Sequence, residues 1–215
     1  LQYLLTSLYS PTTGEWVGIQ HSNPNLLDNW YFIGGGSQQG GGQFPINQRG
    51  ETEYTGLAKQ YFIDRWITHS SSGVGDTYTL TQEGLKVQCA SSYAVGNNVW
   101  LFRQIFENPE ELSGKTVTFS FLYDLPDGVI NLRGIINVVR DGGEKGFYTP
   151  EKAAVAEGGL LQVTATLPQN LTRLWIVFMV NSAANTQFII KAAKLELGPV
   201  QTLARQDADG NRSEE

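Results

Sequence analysis

Polar and aromatic side chains between positions 44 and 66 have the types and spacing of a ligand-binding site. Gln48 and Arg49 can donate hydrogen bonds to vicinal hydroxyl groups, and Asp64 can accept them. The indole face of Trp66 can cover the apolar C–H side of a sugar ring. Because these residues lie on loops beside a glycine-rich segment, we predict that five of them bind a carbohydrate: Gln48, Arg49, Asp64, Arg65 and Trp66.

The same residues have an internal interpretation, in which they hold the loops together. Asp64 and Arg65 would pair with each other, the arginines would satisfy loop carbonyl groups, and Trp66 would lie in the core. A substitution would then change the stability of the protein, whereas in the first interpretation it would change ligand binding.

Side chains that could catalyse a reaction are too sparse for an enzyme to be predicted. His21 and His69 are far apart in the sequence, and the single cysteine, Cys89, lies among apolar residues, so neither a zinc site nor an activated nucleophile is indicated. A glycosidase pair could be formed by Glu51 and Glu53, or by two of Glu107, Glu110 and Glu111, but a solvated loop and a helix cap explain these residues better. The sequence predicts no catalytic residue, no metal site and no cofactor.

The composition is that of a β-rich globular protein with a net negative charge. Hydrophobic residues make up 40% and charged residues 17% of the 215-residue chain, which contains 24 glycines. The formal net charge of −6, without clusters of Lys or Arg, argues against nucleic acid as the main partner and favours neutral ligands. No apolar run reaches the ~18 residues of a spanning helix, so membrane insertion is not predicted.

Two long strands, over residues 173–181 and 187–197, are the elements around which we expect the chain to fold. The first is a nearly unbroken apolar run, which predicts burial on both faces, with Trp175 and Phe178 in the core on opposite sides. The second ends in alternating apolar and charged residues, which predicts one solvent-facing side. A half-buried strand is predicted over 115–123, and a long loop over 144–159.

About eight such runs, separated by Gly, Pro and Asn turns, predict an all-β fold: a two-sheet antiparallel β-sandwich of the jelly-roll type. We expect the sandwich at 23–206, an N-terminal segment or the end of an upstream shaft at 1–22, and a flexible, disordered tail at 207–215. Leucines at one helical face of residues 1–8 have nothing obvious to cover them, which predicts an oligomer; that the oligomer is a trimer is implied by the resemblance described next.

Five motifs are spread over residues 25–206: Asn25-Leu26-Leu27-Asp28-Asn29-Trp30, Ile46-Asn47-Gln48-Arg49-Gly50, Tyr61 to Trp66, Leu112-Ser113-Gly114-Lys115-Thr116-Val117-Thr118, and Lys194-Leu195-Glu196-Leu197-Gly198 with Gln201-Thr202. Together they resemble the carbohydrate-binding-module-like jelly rolls of tail-fibre and other virion proteins from phages and prophages of gut Firmicutes. The resemblance implies a module displayed outward on a phage particle, often in threefold assemblies, that contacts other virion proteins and bacterial surface polysaccharides. It carries over no catalytic residue.

Two classes of function follow from these observations. The first is a non-enzymatic module that binds a host cell-surface glycan, with several copies strengthening a weak single site. The second is a purely structural module that decorates or connects a virion fibre, and a glycan-degrading enzyme is a weaker third. Exposure of a pair among Trp30, Trp66 and Trp100 in one concavity would favour sugar binding, and burial of all three would favour the structural module.

Overall fold

The structure, a computed structural model, describes residues 7–10, 15–18, 23–34, 45–55, 59–69, 75–89, 98–125, 131–149, 158–181, 187–206 and 212–214. The predicted leucine face of residues 1–8 and the glycine-rich segment 34–42 lie mostly outside these ranges.

The described part of the chain is almost entirely β-structure. Its strands are β1 (Ser7–Ser10), β2 (Glu15–Gly18), β3 (Glu53–Thr55), β4 (Tyr61–Ile63), β5 (Trp66–Thr68), β6 (Thr77–Leu80), β7 (Leu85–Gln88), β8 (Asn98–Phe106), β9 (Thr116–Asp124), β10 (Asn131–Arg140), β11 (Gly143–Tyr148), β12 (Gly159–Thr166), β13 (Leu171–Asn181), β14 (Gln187–Leu197), β15 (Ala204–Gln206) and β16 (Arg212–Glu214). Helix is limited, over these residues, to one 3-10 turn at Pro109–Leu112.

Two six-stranded sheets pack face to face around one core. The first sheet has the order β11-β10-β13-β8-β5-β4, and the second has the order β12-β9-β14-β7-β6-β3. Neighbouring strands within both sheets are antiparallel. The predicted all-β, two-sheet antiparallel sandwich is therefore confirmed, and its arrangement is consistent with a jelly roll.

Phe178, on β13, joins the two sheets at the centre of the core. Its ring stacks on Phe102 of the same sheet, with centroids 4.6 Å apart. From the facing sheet, the rings of Phe121 and Phe119 approach it at 5.0 and 5.8 Å in edge-to-face geometry. Stacked and edge-to-face arrangements are the favourable ones for aromatic pairs, so this cluster adds attraction to the burial of its area.

The central strands of the second sheet, β9 and β14, are buried on both faces, which corrects the prediction that residues 115–123 form a half-buried strand. Thr118 and Ser120, which point away from the core, are fully buried. The chain after β14 folds back over them: the hydroxyl group of Thr118 donates to the carbonyl of Gly198 at 2.8 Å. Polar β-strand positions are thus covered by a later segment, which local alternation does not reveal.

A buried ion pair fastens that later segment to β14. Lys194 and Glu196, predicted to face solvent, are buried. The carboxylate of Glu196 accepts hydrogen bonds from the backbone N–H and the hydroxyl group of Thr202, at 2.7 and 2.6 Å. The ammonium group of Lys194 donates to the same hydroxyl oxygen at 2.6 Å and lies 3.6 Å from the carboxylate. Burial is tolerated here because the charges and the hydroxyl group satisfy one another.

Two other parts of the chain differ from the sequence pattern. The predicted loop 144–159 contains most of β11, which pairs with β10 from Ile135↔Tyr148 to Arg140↔Gly143. As a largely exposed edge strand, β11 lacks the apolar alternation that signals a strand. In the predicted tail, β16 pairs with β15. The boundaries at 22 and 206 stay predictions.

Trp175 does not lie in the core, contrary to prediction. It is on the face of β13 opposite Phe178, as expected, but it is only half-buried and packs against Val177 and Met179 on the outer side of the first sheet. An apolar strand can therefore have one face in the core and an aromatic, partly exposed face outside.

We expect Phe178→Ala to lower the free energy of unfolding by about 3–5 kcal/mol, because it leaves a cavity between the sheets. Trp175→Ala should lower it by no more than about 1–2 kcal/mol, since part of the indole is already in water. Urea denaturation of both variants measures the difference, and equal losses would contradict these placements.

Removing one member of the buried ion pair should lower the free energy of unfolding strongly, because the other charge stays buried without its partner. Glu196→Ala leaves the ammonium group of Lys194 buried without its carboxylate, and we expect a loss of about 3–5 kcal/mol. Glu110→Ala, at an exposed glutamate of the 3-10 turn, is the matched control and should change stability by about 0.5 kcal/mol or less. A loss below about 1 kcal/mol for Glu196→Ala would refute the role of the pair.

Candidate functional site

Three of the five predicted site residues come together in one cleft between loops. We call it the loop cleft, and its lining residues are Leu27, Asp28, Asn29, Trp30, Ile46, Gln48, Asp64, Arg65 and Glu107. Arg49 and Trp66 do not line it. The guanidinium group of Arg49 instead lies 5.8 Å from the ring centroid of Tyr61. Whether the predicted set binds a ligand stays a prediction, but its members have different surroundings.

The charged groups of the loop cleft already have partners within the protein. Arg65 Nε lies 2.9 Å from a carboxylate oxygen of Asp28, and its Nη1 donates to Glu107. The hydrogen bond with Glu107, followed by the charges of Asp28 and Glu107 against the opposing effect of burial, raises the pKa of Arg65 above its usual value. Asp64 accepts a hydrogen bond from the backbone N–H of Gln48 at 2.8 Å. These contacts tie the loops together as a clasp, but through other pairs than the predicted one of Asp64 with Arg65: Arg65 contacts Asp28 and Glu107.

Asn29 completes this clasp from the floor of the loop cleft. It is buried, and its Nδ2 donates to the carbonyl groups of Ile46 and Asp64 at 2.9 and 2.8 Å. Its Oδ1 accepts from the backbone N–H of Ile46. One side-chain amide thus fixes the segment at 45–48 to the turn before β5.

Trp66 is a core residue in the structure. It is 0% exposed, so its faces contact protein and are not available to a sugar ring. Its Nε1 donates to the carbonyl of Asn29 at 2.9 Å, and its ring lies 5.8 Å from that of Phe178. Its position agrees with the internal interpretation, which places Trp66 in the core.

The three tryptophans singled out from the sequence occupy three different places. Trp66 is buried, Trp30 is half-buried beside the loop cleft, and Trp100 is half-buried on the outer face of the first sheet. They form neither one exposed pair nor a fully buried set. Trp100, however, shares its face of the sheet with Trp175.

One row of residues crosses this outer face from edge to edge. Pairing between neighbouring strands places six residues side by side: Tyr148, Ile135, Val177, Arg103, Ile67 and Tyr61. With strands about 4.8 Å apart, the row is about 24 Å long. The tyrosines at its ends are 44% and 45% exposed, and the apolar residues between them are buried or half-buried.

The tryptophans lie on either side of this row, and a β-bulge places one of them. Trp175 pairs with Ile105, and Trp100 pairs with Met179. The register of β8 against β13 shifts at Leu101, so that Leu101 and Phe102 both enter the core and Trp100 points outward. Re-aiming a side chain in this way is a common use of a bulge.

Two arginines of the outer face stack on aromatic rings. The guanidinium carbon of Arg103 lies 4.7 Å from the ring centroid of Trp175, and that of Arg133 lies 4.9 Å from the ring centroid of Tyr148. We call this surface the arginine–aromatic face and define it by six residues: Tyr61, Trp100, Arg103, Arg133, Tyr148 and Trp175. Planar guanidinium groups and aromatic rings in this alternation can contact hydroxyl groups, oxyanions and apolar ring faces.

Arg103 is the least satisfied polar side chain of this face. Its Nε is buried and has no hydrogen-bond partner among the described residues. Burial lowers the pKa of Arg103, and the charges of Tyr61 and Glu144 act in the opposite direction. The guanidinium group nevertheless stays protonated, as arginine does in proteins. The buried Nε itself is out of reach of a ligand, but the side chain as a whole is only half-buried, so a ligand can contact the exposed part of this partly desolvated cation.

The alternation of residues along β13 is a sequence signal for this face. Arg173, Trp175, Val177 and Met179 alternate with the core residues of β13, and this period of two places the one charged residue of the strand on the same face as Trp175. The row across the sheet could not be read in this way, because it depends on the register of six strands.

No protein-family model matches the chain, and no curated protein matches its sequence. Structural neighbours include carbohydrate-binding modules. A xylan-binding domain from CBM22 is 12% identical, with a TM-score of 0.47 over 62% of this chain and 87% of its own. The xylan-binding module CBM15 is 11% identical, with a TM-score of 0.42 over 69% and 97%. The enzymatically active domain of tailspike protein 4 from bacteriophage CBA120 is 14% identical, with a TM-score of 0.36 over 68% and 19%. At these scores we draw no conclusion from them about ligand or assembly.

The described side chains include no group of three or more His, Cys, Asp or Glu placed to hold a metal ion. Among the helices of the same residues, none has the length and apolar character that crossing a bilayer requires.

His69 lies next to the arginine–aromatic face and makes the stability of the protein depend on pH. Its ring lies 5.0 Å from that of Trp100, and burial, followed by the charges of Arg103 and Lys59, lowers its pKa below 6.5. As pH falls through 6.5, the unfolded state therefore binds a proton before the folded state does, and stability is lost. We expect wild type to lose more stability than His69→Gln between pH 7.5 and 5.5, as measured by urea denaturation. Equal losses would contradict the lowered pKa.

Proposed function

We propose that the protein is a non-enzymatic module that binds a saccharide on its arginine–aromatic face. The observation that carries this proposal is the state of Arg103: half-buried, stacked on Trp175, and with no carboxylate of a described residue within ion-pair distance. The stacking holds the guanidinium plane in one orientation before a ligand arrives, which reduces the entropy lost on binding.

The chemistry of this face fits a sugar chain better than a flat apolar partner. Half-buried indole rings at Trp100 and Trp175 offer amphipathic surfaces for the C–H side of a pyranose. Guanidinium groups between them supply donors in fixed geometry for ring substituents. The loop cleft is less suited, because its arginine already contacts two carboxylates of the same protein. The proposal rests on this geometry and not on the structural neighbours.

The biological setting remains what the sequence resemblance implies. Display on the surface of a phage particle, threefold assembly and contact with other virion proteins are consistent with a saccharide-binding module, and they stay predictions. Several copies on one particle would strengthen a weak single site, since the second contact is made at a high effective concentration. Light scattering of the purified chain tests the trimer, and a monomer mass would count against it.

Binding can be measured with a glycan array followed by calorimetry on the best-binding saccharide. We expect Trp175→Ala to weaken binding at least about tenfold, or ~1.4 kcal/mol, because a stacking surface is lost. Arg65→Ala and Gln48→Ala in the loop cleft serve as controls and should change affinity less than about twofold.

Two results would contradict this assignment. Loss of binding in Arg65→Ala or Gln48→Ala, with binding retained in Trp175→Ala, would move the site to the residues predicted from the sequence. Absence of binding to every saccharide on the array would favour the purely structural module.

A further inference from the structure

The charge of the arginine–aromatic face is opposite to that of the whole chain. The chain has 15 Lys and Arg against 21 Asp and Glu. On the outer face of the first sheet, the described charged strand residues are three arginines and one glutamate: Arg103, Arg133, Arg173 and Glu144. Net charge therefore misrepresents the surface on which we place the ligand.

The glutamate on this face does not neutralise Arg103 by direct contact. Glu144 accepts a hydrogen bond from Nδ2 of Asn137 at 2.6 Å, and Asn137 is buried beside Trp175. No carboxylate of a described residue lies within ion-pair distance of Arg103, whose interaction with Glu144 acts through space. In the loop cleft, by contrast, Arg65 contacts two carboxylates.

We infer that the saccharide bound on the arginine–aromatic face is acidic and that Arg103 contacts its carboxylate groups. This inference rests on the proposed function and names its ligand class. A planar guanidinium group donates in parallel to both oxygens of a carboxylate, and such charge-assisted pairs are roughly twice as strong as neutral hydrogen bonds. An uncompensated, partly desolvated cation gains more from an anion than from a neutral hydroxyl group.

Arg133 offers a second guanidinium group for an acidic saccharide on the same face of the sheet. It lies on β10, two strands away from Arg103 on β8, which corresponds to about 10 Å across the sheet. Its guanidinium group stacks on Tyr148, and Nε donates to the carbonyl of Thr149 at 3.3 Å, so the side chain is held in place. A chain with an acid group on successive sugars can therefore reach both arginines at once, and the two contacts reinforce each other.

The experiment uses saccharide pairs that differ only in charge. Polygalacturonate and its methyl-esterified form are one pair, and glucuronic-acid-containing xylan and its carboxyl-reduced form are another. We expect the acidic member of at least one pair to bind at least tenfold more tightly than the neutral member, and we expect this preference to weaken when NaCl is raised from 50 to 500 mM. Affinity electrophoresis and calorimetry on the full chain give both measurements.

Variants separate the role of Arg103 from that of charge in general. Arg103→Gln should reduce the acidic preference to about twofold or less, and Arg65→Gln should leave it unchanged. Circular dichroism and melting of Arg103→Gln confirm that it is folded, and Arg103→Lys, which keeps the charge but not the planar fork, should retain part of the preference.

The outcomes distinguish this inference from the proposed function. Equal binding of both members of each pair, or a preference that survives Arg103→Gln, would overturn the acidic ligand and leave saccharide binding in place. A sulfated or phosphorylated glycan that binds through Arg103 when no carboxylated one does would overturn the carboxylate assignment. If neither charged nor neutral saccharides bind, the proposed function fails, and this inference fails with it.

Discussion

The contact of Phe178 with rings from both sheets is the interaction on which the rest of the structure depends. Phe102 stacks on one side of it, while Phe119 and Phe121 approach from the facing sheet. Gly134, the partner of Phe178 on β10, makes room for these rings, because a Cβ at that position would collide with Phe119 and Phe121. Fixing β13 from the core side also fixes the alternate residues on its outer side. The backbone positions of Trp175 and Val177 are thus set by the core beneath them, which suits preorganised recognition.

Most polar motifs of the sequence stabilise the fold. The charged residues at the end of β14 anchor a returning segment through Thr202. Asp28 and Glu107 hold Arg65, and the amide of Asn29 holds the loop that contains Ile46. Loops of a sandwich need such internal partners, because their backbone groups lack a β-ladder. In contrast, Arg103 lies on a strand, half-buried and without a carboxylate of a described residue within ion-pair distance, and for this reason we locate binding on the sheet.

The sequence predicted the fold class and the long strands well, but not which faces are covered. Residues 187–197 form a strand with the predicted bounds. The burial of Lys194 could not be predicted, since it depends on a segment that returns from outside the strand. Trp175 was predicted on the correct face of β13, but one strand does not show whether that face is covered, and the indole is half-buried. Trp66 was assigned to a loop, whereas it begins β5 and its side chain lies in the core. The negative net charge of the whole chain suggested neutral ligands. Composition does not show how charges are distributed in space, and the outer face of the first sheet has three arginines and one glutamate among its described strand residues.

The central claim, that the arginine–aromatic face binds the ligand, is tested most directly by the indole N–H signals of the five tryptophans in a ¹H–¹⁵N spectrum. These signals can be assigned by single substitutions and followed during titration with the best-binding saccharide from the array. Trp100 and Trp175 report on the sheet face, Trp30 reports on the loop cleft, and Trp66 reports on the core. The account predicts that the signals of Trp100 and Trp175 shift in proportion to occupancy while those of Trp30 and Trp66 stay in place. A shift of Trp30, with Trp100 and Trp175 unchanged, would contradict it.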